Sequence, residues 1–588
     1  MRSWREIWFR IRQECANLAL LVHPPDPGTL APGGALKRLS LTYAVDDAEI
    51  EAIARRVLQH RFPLLGIEIE TGPEIDWRRD YVHGVSSGTP YFRFSPYLDF
   101  ARVGDHKLIW ELNRHQHLVL LAQAYHLTGE REFLDEVFRQ LESWLDANPF
   151  LRGINWASAL EVGFRALSWT WLWLLAGDLF PPPLARRSQT ALYRHGCYLE
   201  RNLSVYFSPN THLLGEAVAL HALGALFPSW PRADRWTALG GQLVREQMKR
   251  QVRPDGSHFE QSAYYHVYAL DFFLLHRALA GSAVGDAYDA QLQKMAEYLD
   301  ALMGPSGILP YLGDDDGGRV FHPYGERAFF GRATLARCAV PQRESHSQSR
   351  LFPDAGVAVM VSGECQIVVK AGPFAEGSAG HSHSDVLSLV ARIGPREILI
   401  DPGTYTYVAD PQERNRFRSS AAHNTLAIDG RDQAIPAGPF RWEEKPSVAI
   451  REWATSDQED YLDATCTYAG FTHRRQIRFV KPGYLIVLDT VDGLAGPHLL
   501  EQFWHLESAE DIARLAFTAP AENITGWRSS ALYRREPVPV LGITYRGVLP
   551  AQMAALLDLC GRPEPRELRL ITGAGKPRVT WDHGSAEF

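Results

Sequence analysis

The chain has 588 residues, which is too long for a single hydrophobic core, so two or three domains are expected. Its apolar content of 45% and charged content of 22% are those of a folded globular protein. A net charge of −8 and the lack of a long Lys/Arg run argue against a nucleic-acid partner. Six scattered cysteines without a CxxC pair predict free thiols rather than a disulfide framework.

The first 95 residues predict a mixed lead-in segment. Charged residues interrupt the apolar ones up to residue 23, which is typical of an amphipathic helix and not of a signal peptide. A second helix is predicted near residues 46–60. The apolar runs look too short to cross a bilayer, so we expect no membrane partner and a cytoplasmic location, unless a leader has been removed.

Residues 105–303 have a helical pattern almost throughout. Apolar residues recur at helical spacing, and short Gly, Pro and Asn breaks separate six to eight segments. Short connections favour antiparallel helix pairs. This number of paired helices favours an (α/α) toroid over a four-helix bundle.

The pattern changes after about residue 345 to short β-rich runs separated by Gly, Pro and Asp, which predicts an antiparallel β-sandwich. A polar linker is expected near residues 336–350. The predicted fold is therefore a multidomain α+β protein. Its lead-in (1–95) precedes an incomplete (α/α) toroid (96–340), and an antiparallel β-sandwich follows (350–588).

Polar side chains that can move a proton cluster at two predicted helix starts. The first start carries Asn210 and His212, with Glu216 one turn further on. The second lies within the run DGSHFEQSAYYH and carries His258, Glu260, Tyr264, Tyr265 and His266. Taken singly, Asn210 could be only a helix N-cap and the tyrosines only core aromatics.

A third cluster lies among the predicted strands. His381 and His383 are two residues apart, so on an extended backbone their side chains leave the same face. Asp401 and His423 follow. Two His, one Asp and a third His are a plausible ligand set for one Zn²⁺ ion, but spacing alone does not decide which His stays free.

In this order, the three clusters resemble the heparinase II/III-like polysaccharide lyases. The resemblance rests on NTH at 210–212, DGSHFEQSAYYH at 255–266, HSH at 381–383, DPG at 401–403 and AHNT at 422–425. It spans roughly residues 100–430. One departure is that Thr211 separates Asn210 from His212, where many members place Asn and His side by side.

The resemblance implies a role for each group. Asn210 and His212 would hold the substrate carboxylate, Tyr265 would be the acid and a candidate base, and His381 would be a second base. Tyr265 is preferred over Tyr264 because of the family's Tyr-His pairing. A tyrosine base would need neighbouring cations that lower its pKa from about 10.

The resemblance also implies a metal site. His383, Asp401 and His423 would hold one structural Zn²⁺ ion, with His381 left for catalysis. If all four side chains bound the ion, the second base would be lost.

Further polar residues are weaker candidates for substrate contacts: Asn113, His115, Arg165, Glu260 and Arg418. Glu260 is better explained as a support for the Tyr and His side chains. Arg165 could instead pair with Glu161, which is four residues away on the same helix. Asp314–Asp316 lack EF-hand spacing, so a polar turn between the domains is expected there rather than a Ca²⁺ site.

The predicted function is a lyase that cleaves uronic-acid polysaccharides by β-elimination, acting on glycosaminoglycans such as heparin or heparan sulfate, hyaluronan and chondroitin sulfate. One alternative is a lyase for alginate or a bacterial exopolysaccharide. Another is a toroid hydrolase that uses Glu216 and Glu260 as its two carboxylates, and a third is an inactive binding protein. The expected partner is an anionic polysaccharide, and the expected assembly is a monomer or homodimer.

Overall fold

The computed structural model describes residues 3–28, 47–321, 324–338, 347–561, 567–572, 576–582 and 584–588. It divides into two compact units, which we call the helical unit (Met1–Gln251, Tyr268–Leu292 and Gly317–Glu326) and the sheet unit (Val252–Val267, Gln293–Asp316 and Arg327–Phe588). These bounds differ from the predicted ones. The lead-in belongs to the helical unit, and three parts of the predicted toroid belong to the sheet unit: Val252–Val267, Gln293–Asp316 and the part that begins at Arg327. Part of the predicted linker, 339–346, lies outside the described residues.

The helices of the described chain follow each other closely from residue 100 to residue 303. Their bounds are α1 (Trp4–Val22), α2 (Asp47–Leu58), α3 (Phe100–Val103), α4 (His106–Asn113), α5 (Gln116–Thr128), α6 (Arg131–Ala147), α7 (Ala159–Ala176), α8 (Pro182–Asn202), α9 (Thr211–Leu226), α10 (Ala233–Gln251), α11 (Ala263–Ala280), α12 (Asp286–Met303), α13 (Phe330–Arg337) and α14 (Pro411–Phe417).

Local signals in the sequence explain where several of these helices begin. Pro182 occupies the first turn of α8, where its missing N–H costs nothing. The Asn210 side chain caps α9 by accepting a hydrogen bond from the His212 N–H. Almost every residue of α7 is buried, and α7 packs against α5, α8 and α9 at the centre of the helical unit. The predicted helical run is thus confirmed.

The strands of the described chain have these bounds: β1 (Arg61–Leu64), β2 (Ile67–Glu70), β3 (Arg79–Asp80), β4 (Val85–Ser86), β5 (Arg350–Phe352), β6 (Val357–Ser362), β7 (Cys365–Lys370), β8 (Ser388–Ile393), β9 (Arg396–Leu399), β10 (Leu426–Ile428), β11 (Ile435–Pro436), β12 (Trp442–Glu444), β13 (Ser447–Thr455), β14 (Glu459–Tyr468), β15 (Phe471–Val480), β16 (Tyr484–Asp492), β17 (Pro497–His505), β18 (Leu515–Phe517), β19 (Ala521–Ala531), β20 (Arg534–Val548), β21 (Ala551–Asp558), β22 (Arg569–Ile571), β23 (Arg578–Trp581) and β24 (Gly584–Glu587).

Three larger antiparallel sheets build the sheet unit. Their strand orders are β5-β6-β7-β8-β9, β10-β17-β20-β19 and β13-β14-β15-β16-β21-β18. Apolar side chains from all three share one buried cluster, as expected when sheets pack face to face. Lys370 pairs with Ser388 where β7 and β8 meet. The long connection between these two residues carries His381 and His383.

The expectations about membrane-spanning length and about free cysteines can be compared with the structure. Among the described residues, Ala263–Val284 forms one helical segment that is long and apolar enough to cross a bilayer. The prediction that every apolar run is too short for this is therefore wrong. Half of its most apolar window is buried in the fold, and a buried core helix meets the same criterion. All six cysteines are free thiols, as predicted.

Candidate active site

The Tyr265 and His381 rings stack face to face in the sheet unit. Their centroids lie 3.6 Å apart and the ring planes differ by 19°. Tyr265 lies in the first turn of α11, where its N–H donates to the Ser262 hydroxyl, and His381 lies in the β7–β8 connection. The structure thus brings together two of the predicted catalytic side chains. Tyr264 instead stacks on Phe330.

The Asp314 carboxylate contacts His381, His383 and Arg414. It lies 3.1 Å from His381 Nδ1 and 3.0 Å from His383 Nε2, and it accepts two hydrogen bonds from Arg414, at 2.5 and 2.7 Å. Burial opposes its ionisation, but Arg414 and the two histidines hold the pKa of Asp314 well below its usual range. An ionised carboxylate only accepts, so His381 Nδ1 and His383 Nε2 carry hydrogens.

Backbone contacts hold the Asp314 segment against the histidine loop. The Asp314 N–H donates to the His381 carbonyl at 2.9 Å. Gly313, at φ +69°, precedes it, and a Cβ there would lie 2.7 Å from that same carbonyl oxygen. Only glycine fits this close approach without a shift. The prediction of a simple polar turn at Asp314–Asp316 is therefore wrong, because Asp314 is fully buried and multiply bonded.

The second ring nitrogen of His381, Nε2, lies 3.7 Å from the Glu260 carboxylate. In the neutral imidazole, the hydrogen on Nδ1 leaves the lone pair on Nε2. Glu260 also lies 3.9 Å from His258 Nδ1. These neighbours agree with the reading of Glu260 as a support for the histidine side chains. A neutral imidazole in this tautomer presents a base at Nε2.

The environment of the Tyr265 hydroxyl favours the protonated phenol. The hydroxyl donates to Asp316 Oδ2 at 3.0 Å. Burial, together with the charge of Asp316 and the neighbouring Tyr407, raises the pKa of Tyr265 well above its usual value. The influences that raise the pKa of Tyr265 outweigh the nearby Arg414 cation, so the hydroxyl stays protonated. This geometry suits an acid, which was the first role predicted for Tyr265.

The three predicted metal ligands converge in the same unit. One donor atom from each of His383, Asp401 and His423 lies within 4.8 Å of the others, and all three residues are buried. His383 Nδ1 lies 3.1 Å from His423 Nε2, which lies 3.5 Å from Asp401 Oδ2. Two ligands bound about 2.0–2.2 Å from one tetrahedral ion lie roughly 3.3–3.6 Å apart. The 3.5 Å spacing falls in this range, and the 3.1 Å spacing is slightly shorter.

The hydrogen-bond partners of His383 and His423 leave a position between the two rings that suits a cation. His383 Nε2–H is directed at Asp314, and His423 Nδ1 lies 2.7 Å from the Ser419 carbonyl, which can only accept. The facing nitrogens, His383 Nδ1 and His423 Nε2, are therefore both lone-pair acceptors. Burial lowers the pKa of His423 to about 3, so a proton does not readily fill the gap. Second nitrogens bonded to a carboxylate and a carbonyl are typical of metal-bound histidines.

Asn210 and His212 begin α9 in the helical unit. The Asn210 amide oxygen accepts from the His212 N–H at 3.1 Å, so Asn210 is an N-cap, as the simpler interpretation held. Both side chains are partly exposed. Burial raises the pKa of the nearby Glu161, but Arg114, and to a smaller extent Lys107 and His212, lower it overall. The positive end of the helix dipole favours an anion at this position.

Two predicted substrate contacts, Asn113 and His115, are instead buried packing residues. Asn113 donates to the Trp77 and Ile109 carbonyls and accepts from the Trp144 indole, and His115 accepts from the Trp169 indole. All of these partners are internal, and both residues are at most 1% exposed. The expectation of substrate contact therefore finds no support at Asn113 or His115.

Arg165 is also an internal residue, and its predicted partner is wrong. Its guanidinium donates to His195 Nε2 at 2.9 Å and to the Asn155 carbonyl at 3.0 Å, and burial lowers its pKa to about 9. Glu161 forms a two-pronged ion pair with Arg114, at 2.7 and 2.8 Å, rather than with Arg165. Arg165 is completely buried, so a direct substrate contact is not supported either.

The predicted substrate contact of Arg418 is not supported either, and the sequence analysis missed Arg414, which pairs with Asp314. Arg418 donates to the Pro439 and Gly438 carbonyls and covers the Trp442 ring, and it is 1% exposed. Arg414 reaches Asp314 directly. No signal in the sequence marks this pair, because the two residues are 100 positions apart.

The carboxylate pair of the hydrolase alternative is not supported. Both Glu216 oxygens accept from Ser204, at 2.7 Å from its N–H and 2.6 Å from its hydroxyl. Glu216 is fully buried, and burial raises its pKa to about 8. A glycosidase carboxylate has to reach the substrate, so Glu216 is better explained as an internal brace of the loop before α9.

Comparisons with known proteins bear on the family and the fold of this chain. The family models described as Heparinase II/III N-terminus and Heparinase II/III-like, C-terminal match residues 32–321 and 344–537. Heparin-sulfate lyases of Pedobacter heparinus and Bacteroides stercoris are 25% and 23% identical over 445 and 463 residues. The alignments cover 70% and 69% of this chain but only 64% and 65% of those relatives, which is under two thirds of their length.

A solved structure supports the fold. The crystal structure of heparinase III superposes with a TM-score of 0.71 over 98% of this chain and 95% of that chain, at 16% identity. This likeness confirms the predicted helical toroid followed by an antiparallel β-sandwich. Because the N- and C-terminal family models match in chain order over most of its length, the chain belongs to the heparinase II/III-like family.

Proposed function

We propose that this protein is a polysaccharide lyase that cleaves uronate-containing chains by β-elimination. The observation that carries the proposal is the stacked Tyr265–His381 pair, in which the phenol donates to Asp316 and His381 Nδ1 faces Asp314, so that Nε2 is the basic nitrogen of the neutral imidazole. An elimination needs both functions: a base for the C5 proton and an acid for the departing 4-oxygen. Family membership points to the same chemistry.

In the proposed reaction, the base removes the C5 proton and negative charge develops on the adjacent carboxylate. Asn210 and His212 neutralise that charge, helped by the N-terminal dipole of α9. The bond from C4 to the glycosidic oxygen then breaks, and Tyr265 donates a proton to the departing oxygen. The products are a chain with a new hydroxyl and a chain that ends in an unsaturated uronate.

His381 acts as the base for one of the two C5 epimers. Asp314 fixes its tautomer from below, and Glu260 faces the reactive nitrogen. An epimer whose C5 proton faces away from Nε2 needs a different base, and Tyr265 is the candidate for it. Its raised pKa means that it can act as a base only after substrate binding changes its surroundings.

We propose that His383, Asp401 and His423 hold one structural Zn²⁺ ion. Support comes from the two imidazole acceptors that face each other at 3.1 Å with no hydrogen between them. The bound cation would neutralise this buried cluster and hold the β7–β8 connection that carries His381. Every proton transfer is assigned to side chains outside the three ligands.

The proposed substrates are glycosaminoglycans, with heparin or heparan sulfate first, because the matched relatives are named heparin-sulfate lyases. Hyaluronan and chondroitin sulfate follow, and alginate or a bacterial exopolysaccharide is the alternative. All of these are uronate chains on which the same elimination can run. The groups that would separate them lie outside the Tyr265–His381 pair.

One experiment tests both the reaction and the substrate class. The protein is incubated with heparan sulfate, hyaluronan, chondroitin sulfate and alginate, and the ultraviolet absorbance of the unsaturated uronate is followed. A rise with one polymer identifies a lyase and its substrate. New reducing ends without this absorbance would identify a hydrolase, and neither signal with any uronate polymer would contradict the proposal.

A further inference from the structure

Helix α1 packs on the helical unit through a side that carries polar residues together with Phe9, whose ring contacts Tyr206. Asn17 and Asn202 exchange two amide hydrogen bonds, at 2.9 and 2.8 Å, and Gln13 donates to the Arg201 carbonyl at 3.0 Å. Glu14 accepts from the Tyr91 hydroxyl and from Arg93. These bonds fix the rotation of α1 about its axis, so its opposite side faces outward.

That outward side is apolar, which is the reverse of an ordinary surface helix. Trp4, Trp8, Ile11, Leu18 and Val22 are 85, 62, 50, 49 and 69% exposed, Cys15 is also exposed, and Ile7 beside them is 36% exposed. Single exposed apolar residues are common, but six on one side of one helix mark an interaction surface. We call these six residues the α1 seam.

The α1 seam has the spacing of a helix-pairing surface. Its members follow one another at intervals of four, three, four, three and four residues, which is the heptad pattern of helices that pack side by side. A membrane surface requires a broad apolar side but no such period. An interfacial helix also turns its polar side to water, whereas the side of α1 that carries Gln13, Glu14 and Asn17 is bonded to the helical unit, and the exposed Arg5 and Arg12 lie beside the apolar residues.

The α1 seam is also symmetric about Gln13. Trp4 and Val22 lie equally far from this residue, as do Trp8 and Leu18, and Ile11 and Cys15. If a second α1 runs antiparallel, each large side chain meets a smaller one. If it runs parallel, tryptophan meets tryptophan at one end and valine meets valine at the other. The antiparallel arrangement gives an even separation along the whole pair.

We propose that the α1 seam binds the α1 seam of a second copy of this chain, antiparallel and around a twofold axis at Gln13. The two copies together expose on the order of 1,000 Å² of seam surface, which is near the lower limit for a specific interface. The expected dimer is therefore one that dissociates in the micromolar range. The same twofold axis brings the Arg12 side chains of the two copies to the same edge of the helix pair, where their like charges face each other.

The oligomeric state tests the proposal directly. Sedimentation equilibrium over about 0.1–100 µM should show monomer passing to dimer. Trp8→Glu should raise the dissociation constant at least about 100-fold, since two indoles lose their burial and two carboxylates replace them. Leu127→Glu, at an exposed apolar position in the last turn of α5, is the matched control and should dimerise like the wild type.

Cysteine crosslinking tests the direction of pairing. In the antiparallel register Ile11 faces Cys15 of the other copy, so Ile11→Cys should give an intermolecular disulfide under mild oxidation. The wild type should not, because two Cys15 residues lie about 6 Å apart along the axis. Ile11→Cys/Cys15→Ser should lose the bridge. A ready bridge in the wild type would overturn the antiparallel pairing.

Other occupants of the α1 seam give different results. A protein that stays monomeric at the highest concentration and binds vesicles of anionic phospholipid would overturn the proposal in favour of a membrane surface. That binding would weaken with salt, whereas screening of the Arg12 pair should leave the dimer intact or strengthen it. A protein that stays monomeric and does not bind the vesicles would overturn the proposal as well. Circular dichroism of Trp8→Glu verifies that the variant is folded.

Discussion

The carboxylate of Asp314 links the proposed base to the proposed metal ligands, and Asp314→Asn tests this link. The substitution keeps the shape of the side chain and removes its charge. In the wild type, His381 Nδ1, His383 Nε2 and two guanidinium nitrogens of Arg414 all bond to the same two oxygens. An amide offers only one accepting oxygen, so at least two of these four bonds lose an acceptor.

The loss of stability follows from burial. Asp314 is 0% exposed and Arg414 is 2% exposed, so the variant leaves a buried guanidinium without its counter-charge. Removing one partner of such a pair costs about 3–5 kcal/mol. Arg414 keeps weaker bonds to the Pro439 and Gly380 carbonyls and its place over the Tyr407 ring, so we expect a value near the lower limit. Urea unfolding monitored by circular dichroism measures it.

The functional losses are separate from the loss of stability. His383 would no longer be held by a carboxylate, so zinc affinity should fall about 10–100-fold. His381 would no longer have a fixed tautomer, so kcat should fall by roughly 10²-fold or more on substrates that use it as the base. Metal content by elemental analysis and initial rates by ultraviolet absorbance give these two quantities.

A double variant separates positioning from packing. In Asp314→Asn/Arg414→Met the uncompensated charge is removed together with its partner, so most of the stability should return. Turnover and metal affinity should stay low, because no carboxylate faces the two histidines. Recovery of turnover along with stability would show that Asp314 acts only through packing. Wild-type metal content and kcat in Asp314→Asn alone would refute the linking role altogether.

Four further predictions concern single groups. Tyr265→Phe should lower turnover about 10²–10⁴-fold while substrate binding and folding persist, because the proton donor is lost, whereas Tyr264→Phe should stay within a few-fold of the wild type. His381→Ala should reduce activity unequally on glucuronate-type and iduronate-type chains, measured as separate kcat values. His423→Ala should lower metal content and melting temperature before it changes chemistry. Burial lowers the pKa of His117 to about 4 from 6.5. The unfolded state therefore binds its proton first, and stability present above about pH 6.5 is lost towards pH 4, by about 2 kcal/mol between pH 7 and 5 for this residue.

Each of these has an outcome that contradicts it. Near-normal turnover of Tyr265→Phe would remove the phenol from the mechanism. Equal losses of His381→Ala on both epimers would mean a role shared by both reactions. Wild-type protein that stays folded and active after chelation, and contains no zinc, would reduce the three ligands to a polar cluster. A His117→Gln variant that unfolds with the same pH dependence as the wild type would exclude His117 as a source of acid sensitivity.

Local patterns in the sequence were enough to predict the element types and the order of the motifs. The cap at Asn210, the turn before Ala263 and the two-residue spacing of His381 and His383 are short-range features, and the structure has helix starts and a shared loop there. Alternating β-rich runs predicted antiparallel sheets for the same reason, since the period of a strand is local. The boundaries of the two units were not predicted, because segments such as Val252–Val267 join the unit with which they pack.

Partner choice was decided only by the tertiary structure. Glu161 lies one helical turn from Arg165 but pairs with Arg114, which is 47 positions away, and Asp314 pairs with Arg414 across 100 positions. The partners of Arg418 were also decided by the fold. Its guanidinium is buried and contacts backbone carbonyls and the Trp442 ring, whereas the sequence pattern predicted a contact with substrate. The sequence states which groups are available at each position. Which of them meet depends on chain segments that come together only in the fold, because one buried charge takes whichever partner the packing brings within hydrogen-bond distance.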